Sequence, residues 1–148
     1  MRALIQRVTE ASVTIDQSVY SQISKGLLIL VGIESADTQE DIEWMVKKIT
    51  LMRIFEDQDE KMNNSILDIP GELLVVSQFT LHAGTKKGNR PSFIKAAHPD
   101  LAIPLYKKFV NECASIVTTK TGVFGANMKV ALVNDGPVTI WLDSKNRE

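Results

Sequence analysis

The alternation of apolar and polar positions predicts a chain built mostly of strands. Residues 3–15 are predicted to form a strand, because apolar and polar side chains alternate toward its end. Residues 27–33 form a continuous apolar run, which is typical of a strand covered on both faces. Residues 72–81 are predicted to form another buried strand, which ends in a polar tetrapeptide. The polar, glycine-containing stretch 82–92 is predicted to be a loop.

Apolar residues at helical spacing predict two helices. Thr38 can cap the first helix, since Asp41 follows at the capping-box position. Its predicted apolar face consists of Ile42, Met45, Val46, Ile49 and Met52. The second helix is predicted to begin at Pro99, with Pro104 near its first turn, where a missing N–H costs least. Its apolar stripe consists of Ala102, Leu105, Tyr106, Phe109, Val110 and Cys113.

Two closing strands are predicted at 129–133 and 138–142. Asp135 and Gly136 between them are typical of a hairpin turn. The residues alone favour a trans bond before Pro137, because most X-Pro bonds are trans. The resulting order is β-β-β-α-β-α-β-β. It predicts one domain over residues 1–148, of mixed α/β class, with two helices packed on one side of a mixed sheet assembly.

Charge restricts the class of partner. The net charge is −1 and the pI is about 6.1, whereas proteins that bind a long nucleic acid usually carry a basic surplus. Basic residues cluster only locally, at Lys86, Lys87 and Arg90. The composition therefore indicates either no nucleic acid or contact with a short end of one.

The sequence also bears on the compartment and on cofactors. The longest apolar run is too short to span a bilayer, and the early charge at Arg7 argues against an export signal. One cysteine, Cys113, suits a reducing cytosol and a buried position. We therefore expect a cytoplasmic protein with no membrane partner. Phosphate-loop, zinc and nucleophile-elbow motifs are missing, so we expect neither metal nor cofactor.

Candidate chemistry is concentrated in two segments. Ser77, Gln78 and Thr80 place three polar side chains in four residues at the end of an apolar strand, although an ordinary strand terminus would look the same. The second segment is Gly136-Pro137, where proline removes an N–H just as a strand is predicted to begin. The histidines, His82 and His98, lie in predicted loops and are expected to be solvated rather than catalytic.

Four ordered motifs resemble those of the D-aminoacyl-tRNA deacylase family. They are Ser-Gln-Phe-Thr-Leu at 77–81, Arg-Pro-Ser-Phe at 90–93, the segment 121–126 with 128–130, and Asn-Asp-Gly-Pro-Val-Thr at 134–139. The opening strand with Arg7 and the tripeptide 61–63 are similar too. The match spans nearly the whole chain in the family's order, which makes it specific.

The resemblance implies a fold and a set of site residues. The fold would be a three-layer β/β/α arrangement with barrel-like sheets and two helices, assembled as a homodimer. The catalytic pocket would be lined by Ser77, Gln78, Phe79 and Thr80. A Gly136-cisPro137 element would project from one subunit into the pocket of the other. The implied substrate-binding residues are Arg7, Phe124, Gly125, Ala126, Met128 and Asn134.

The implied activity is hydrolysis of the ester between a D-amino acid, or glycine, and the 3′ end of tRNA. The acceptor end would be the contact, with Lys86, Lys87 and Arg90 as candidates for its phosphates, and no DNA partner is expected. Two mechanisms remain open. Thr80 could act as a nucleophile, or peptide N–H groups near Phe79 could stabilise the oxyanion while the ribose 2′-hydroxyl helps water. We favour the second.

Three other functional classes remain open: a nucleic-acid binding module without catalysis, an unrelated esterase or peptidase that uses Ser77 or Thr80, and a structural dimer that has lost activity.

Overall fold

The structure is a computed structural model that describes residues 1–86 and 88–148, and within these it contains eight strands and two helices. In chain order they are β1 (Arg2–Ile15), β2 (Ser18–Ile23), β3 (Gly26–Gly32), α1 (Gln39–Leu51), β4 (Phe55–Glu56), β5 (Met62–Asn64), β6 (Glu72–Ser77), α2 (Pro99–Ala114), β7 (Thr119–Thr121) and β8 (Lys129–Asp143). A 3₁₀ turn at Phe79–His82 follows β6.

Strand β1 is the centre of the sheet. On one edge it pairs antiparallel with β3 and then with β2, and on the other edge it pairs with β8 along nearly its whole length. Strand β3 continues the sheet through parallel pairing with β6, which in turn pairs parallel with β7. The Ser21 hydroxyl donates to the Thr121 carbonyl at 2.7 Å, which draws β2 beside β7. The prediction of a mixed α/β, barrel-like fold is confirmed.

The hairpin between β1 and β2 forms without glycine. Asp16 and Gln17 have φ values of 48° and 65°, in the left-handed region. A two-residue hairpin loop needs positive φ because its twist must match that of the strands. The sequence therefore reaches the required turn at a small conformational cost.

The first helix begins as predicted. Thr38 and Asp41 form a reciprocal capping box, and Ile42, Met45 and Ile49 are fully buried. Asp41 also accepts hydrogen bonds from the Ser144 hydroxyl and the Lys145 ammonium, each at 2.7 Å. The carboxylate thus joins the start of α1 to the chain that follows β8.

The second helix begins at Pro99 as predicted, and Ala102, Tyr106, Phe109 and Cys113 are buried. Pro104, however, is the sixth residue of α2 and lies in its second turn, so its predicted place near the first turn is wrong. Proline leaves the carbonyl four residues earlier without a helical partner. That carbonyl belongs to the exposed residue Asp100, where water can hydrate it.

Strand β6 ends earlier than the apolar pattern predicted. It stops at Ser77 rather than at residue 81, and the chain turns through the 3₁₀ segment. His82, which was expected in a solvated loop, is only 1% exposed and packs at the end of that turn, so this expectation is wrong. His98 is exposed.

The predicted hairpin at the end of the chain is also wrong. Residues 129–143 form one strand antiparallel to β1. Gln6 opposes Thr139 and Val8 opposes Asn134, so the four residues 135–138 stand opposite Arg7 alone. They form a large, irregular bulge in an otherwise continuous strand. We call these residues the 135–138 bulge.

The core forms two clusters on opposite faces of the curved sheet. The larger lies between the sheet and the two helices and includes Ile5, Ile29, Met45 and Phe109. The smaller lies inside the barrel and consists of Val8, Ala11, Val13, Ile23, Leu28, Leu74 and Val76. Among the described residues, no helix is long and apolar enough to cross a membrane.

We predict that Asp41 contributes acid-sensitive stability. Burial by itself would raise the pKa of Asp41, but hydrogen bonds from Lys145, Ser144 and Thr38 together hold it well below the ordinary value of 3.8. A lowered folded-state pKa stabilises the protein above the unfolded pKa, and the contribution is lost as the pH falls through the folded value. Asp41→Asn should therefore lower the unfolding free energy by roughly 1–3 kcal/mol at pH 7.

Urea unfolding at pH 7 and at steps from pH 4 to pH 2 measures this contribution. The difference between the original chain and Asp41→Asn should narrow across the acid steps. Glu43→Gln, at an exposed carboxylate of the same helix, is the control and should change stability little. A difference that stays constant down to pH 2 would contradict the prediction.

Candidate active site

A cleft of about 320 Å³ opens where β6 ends. One wall is the strand end and the start of the 3₁₀ turn, and the other is the loop between β7 and β8. The lining residues are Val31, Ile33, Val76, Ser77, Gln78, Phe79, Ala97, Ala102, Phe124, Gly125, Ala126, Asn127, Met128 and Val130.

The first wall is held in place by β3. The peptide N–H of Gln78 donates to the carbonyl of Val31 at 2.7 Å, one bond beyond the β3–β6 pairing. The Gln78 side-chain amide donates to the Thr80 hydroxyl at 2.5 Å, which fixes both polar side chains at the rim.

Two neighbouring peptide N–H groups, those of Phe79 and Thr80, have no acceptor in the part of the chain that the structure describes. Phe79 and Thr80 open the 3₁₀ turn, and the first N–H groups of a helical turn have no partner within it. Within residues 1–86 and 88–148, neither N–H donates to any other acceptor. A pair of adjacent, uncommitted N–H groups is the arrangement that stabilises a developing oxyanion.

The second wall is a tight turn at residues 123–126. The Ala126 N–H donates to the Val123 carbonyl at 3.1 Å, and Gly125 has a φ of +76°. This φ is the one required at the third position of a type II turn, which glycine adopts without strain. Phe124 packs edge-on against Tyr106, whose hydroxyl donates to the Val75 carbonyl at 2.9 Å. The Phe124 ring is thus fixed against the core.

No activating base contacts Thr80 in the part of the chain that the structure describes. The nearest imidazole in sequence, His82, is buried, and neither ring nitrogen has a hydrogen-bond partner among the described residues. Burial lowers the pKa of His82, so the ring is neutral at neutral pH. The Cys113 thiol is also excluded from chemistry, because burial raises its pKa to about 12.

The 135–138 bulge is braced by two side chains of its own chain. Buried Arg7 donates from Nε to the Asp135 carbonyl at 3.1 Å and from Nη1 to the Ile54 carbonyl at 2.6 Å. The Asn134 amide donates to the carbonyls of Arg7 and Val138 at 3.1 and 3.0 Å. These bonds replace the pairing that a hairpin would have supplied, which is why the strand continues past the bulge.

At the apex of the bulge, Gly136 has a φ of +123°, and a Cβ there would lie 2.9 Å from Arg7 Nη2. The bond between Gly136 and Pro137 is cis, against the base-rate expectation and in agreement with the resemblance. Both residues are exposed.

The structure brings together part of the predicted site. Ser77, Gln78, Phe79, Phe124, Gly125, Ala126 and Met128 all line the cleft, and Thr80 is hydrogen-bonded to Gln78 at its edge. Arg7, Asn134, Gly136 and Pro137 do not line it. Lys86 and Arg90 are exposed on the loop after the 3₁₀ turn, and Lys87 lies outside the described residues. That Arg7 and Asn134 take part in substrate binding remains a prediction.

Sequence reasoning missed the apolar floor of the cleft. Val31, Ile33, Val76, Ala97 and Ala102 come from several different elements. Each belongs to an ordinary apolar pattern, so no local signal marks it. Asn127 was also missed, although it lies between residues of a recognised motif, and that position could have identified it.

The family model and the curated relatives agree on one family. The family model described as D-Tyr-tRNA(Tyr) deacylase matches residues 4–143. The chain is 61% identical to a D-aminoacyl-tRNA deacylase of Flavobacterium psychrophilum and 60% identical to one of Parabacteroides distasonis, with all of each chain covered.

Similar folds also occur among solved structures. A c-Myc DNA unwinding element binding protein matches with a TM-score of 0.92 and 43% identity, covering 97% of this chain and 98% of the other. A probable eukaryotic D-amino acid tRNA deacylase matches with a TM-score of 0.83 over 95% of this chain and 97% of its own, and at 16% identity it supports the fold alone. From the family match and the full-length relatives, the chain is an enzyme of the D-Tyr-tRNA(Tyr) deacylase family.

Proposed function

We propose that the chain hydrolyses the ester between a D-amino acid, or glycine, and the 3′ end of tRNA, and that it leaves L-aminoacyl esters intact. The observation that carries the proposal is the pair of uncommitted N–H groups of Phe79 and Thr80 at the edge of a cleft of about 320 Å³. Aminoacyl-tRNA is made and used in the cytoplasm, so we expect the enzyme to work there.

The two N–H groups would bind the ester carbonyl oxygen as it becomes an oxyanion. Water attacks the carbonyl carbon, the bond to the ribose oxygen breaks, and that oxygen takes the proton that the water loses. An aminoacyl ester is already labile, so modest stabilisation of the oxyanion is sufficient and a strong base is not needed. The ribose 2′-hydroxyl of the substrate would help to position or activate the water.

The opposite wall would hold the terminal adenosine. Phe124 and Met128 provide apolar surface, while the turn around Gly125 brings peptide groups close to the ligand. Our candidates for contact with phosphates of the acceptor end are Lys86 and Arg90, which lie on the neighbouring loop, and Lys87, which is named from the sequence alone. A short contact of this kind does not need a basic protein overall.

Selection between mirror forms requires a surface that does not yield. A D- and an L-aminoacyl ester differ by exchange of hydrogen and side chain at one carbon, and flexible side chains could move aside for either. Gly136 and Pro137 present main chain at the apex of the 135–138 bulge, which Arg7 and Asn134 brace. Such a wall would exclude the L side chain, whereas glycine has no side chain to exclude.

We propose that this wall comes from a second copy of the chain. Gly136 and Pro137 are exposed and do not line the cleft of their own chain. The outer edge of β8 has no partner strand among the described residues, and β8 exposes Val133 and Trp141. Long unpaired edges with exposed apolar residues favour association.

The central experiment compares D-tyrosyl-, L-tyrosyl- and glycyl-tRNA as substrates, with the remaining ester measured over time. We expect rapid loss of the D-tyrosyl and glycyl esters and no acceleration for the L-tyrosyl ester. Equal rates for both tyrosyl esters would refute the stereochemical proposal. Binding of tRNA without release of any amino acid would instead favour a binding module.

We predict that Thr80→Ala keeps most of the activity. Its hydroxyl accepts a hydrogen bond from Gln78 and has no base beside it, so the side chain is not set up as a nucleophile. Single-turnover hydrolysis of D-tyrosyl-tRNA should slow by less than about tenfold, because the Thr80 N–H remains.

Thr80→Ser serves as the matched control, since it retains the hydroxyl. Complete loss of hydrolysis in Thr80→Ala, with normal activity in Thr80→Ser and unchanged tRNA binding, would establish Thr80 as the nucleophile and contradict our mechanism.

We predict that Gly136→Ala reduces stereochemical selectivity. The added Cβ would lie 2.9 Å from Arg7 Nη2, in a backbone conformation that L side chains rarely adopt, so the apex must shift. The ratio of D-tyrosyl to L-tyrosyl hydrolysis rates should fall at least about tenfold, which corresponds to about 1.4 kcal/mol. Lys129→Ala, an exposed position at the start of β8, is the control.

Sedimentation of both variants shows whether the oligomeric state has changed. An unaltered D:L ratio in a folded Gly136→Ala protein would exclude this residue from stereochemical selection.

A further inference from the structure

A pair of aromatic rings lies exposed beside the cleft. Phe79 is 57% exposed and Phe93 is 36% exposed, and their ring centroids are 5.0 Å apart at an angle of 75°. The neighbouring Ile94 is 93% exposed. Phe79 also lines the cleft, so the apolar patch is continuous with the candidate active site. Contiguous exposed apolar surface of this kind marks an interaction site more often than scattered single residues do.

The chain holds Phe93 firmly. Gly84 and Ser92 exchange two backbone hydrogen bonds of 2.7 and 2.9 Å, which close the base of the preceding loop. The Ala96 N–H donates to the Phe93 carbonyl at 3.0 Å, and the Ala97 N–H donates to the Ile33 carbonyl at 2.9 Å. The ring is therefore presented from a short segment fixed on both sides, and little order has to be gained when a ligand binds.

The chain segment that carries both rings is cationic in its sequence. The sequence from residue 73 to residue 99 contains no Asp or Glu, yet it contains Lys86, Lys87, Arg90 and Lys95. The chain as a whole carries a net charge of −1, so this segment stands apart. Within residues 1–86 and 88–148, Lys86, Arg90 and Lys95 form no salt bridge, and all three are exposed.

We propose that Phe79 and Phe93 form a stacking platform for the unpaired nucleotides that precede the terminal adenosine of tRNA, with Lys86, Arg90 and Lys95 binding their phosphates. The tRNA 3′ end is single-stranded, so its bases are free to stack. Aromatic rings flanked by positive charge are the arrangement that binds single-stranded nucleic acid without reading its sequence. The inference rests on the proposed function in one respect, namely that the terminal adenosine occupies the adjoining cleft.

Charge favours RNA over an apolar protein surface as the occupant. A protein partner would have to supply several carboxylates to match a cationic segment with no acidic residue, whereas two or three consecutive nucleotides supply one phosphate each. Stacking also provides affinity that does not depend on charge, which fits an enzyme that must bind tRNA with a nearly neutral surface.

The test uses an acceptor-stem hairpin RNA that carries no amino acid and ends in an unpaired 3′-ACCA. Its binding to the protein is measured by fluorescence anisotropy. Phe93→Leu removes the ring and keeps an apolar side chain, while Phe93→Trp keeps a larger ring. Phe93→Leu should weaken binding by about 5- to 30-fold, and Phe93→Trp should bind at least as tightly as the original chain.

A second RNA sharpens the test. It has the same backbone, but the two nucleotides before the terminal adenosine lack their bases. The original protein should lose the same 5- to 30-fold on this abasic RNA, and Phe93→Leu should lose nothing further, because the partner of the ring has already been removed. Leu51→Ala, which reduces exposed apolar surface on α1 at a distance from the cleft, is the control and should bind both RNAs as the original does.

Three results would overturn the proposal. The first is unchanged RNA binding by a folded Phe93→Leu protein. The second is a loss of affinity caused by Phe93→Leu that is as large on the abasic RNA as on the intact RNA. The third is a Phe93→Leu protein whose oligomeric mass changes on sedimentation while its RNA binding does not. The last result would assign the patch to a protein interface. Because the RNA carries no amino acid, hydrolysis does not enter the measurement. Failure of ester hydrolysis would tell against the proposed function alone.

Discussion

The antiparallel pairing of the first and last strands is the constraint on which the rest of the structure depends. Strand β8 follows β1 along nearly its whole length, so the 135–138 bulge must be absorbed within a continuous ladder. Buried Arg7 and Asn134 make this possible, because they supply hydrogen bonds that the ladder loses there. An unpaired main-chain carbonyl in such a place would be costly, and the two side chains remove that cost. The bulge is therefore a braced feature and not a loose loop.

The two parts of the proposed site lie on different elements of one chain. The cleft depends on parallel pairing of β3 and β6, extended by the Gln78–Val31 hydrogen bond, while Gly136 and Pro137 belong to β8. With the two parts on separate elements, each proposed task would be done by rigid main chain. Peptide N–H groups would stabilise the oxyanion at the cleft, and Gly136-Pro137 would exclude the L side chain. This arrangement would also explain why neither histidine needs to take part. The His82 ring is buried, and burial lowers its pKa.

Much of the secondary structure could be predicted from local pattern. The capping box at Thr38, the start of α2 at Pro99 and the buried strand β3 follow from interactions within a few residues of each other. Predictions failed where distant residues decide the local conformation. Asp135-Gly136 has the composition of a hairpin, but hydrogen bonds from Arg7, far away in sequence, hold the segment as a bulge. Strand β6 likewise ends at Ser77 because the chain then turns through the 3₁₀ segment, which ends at the buried His82.

Most motif residues of the cleft, Ser77 to Phe79, Phe124 to Ala126 and Met128, could be named from the sequence because a resemblance across the whole chain identified them. The sequence by itself also determined the family, the mixed α/β class and the one-sided charge between residues 73 and 99. Only the tertiary structure decided which side chains complete the cleft, that the histidine after the site is buried, and that Phe79 meets Phe93. The physical reason is that these are contacts between elements, and they are fixed by packing that no local pattern of residues encodes.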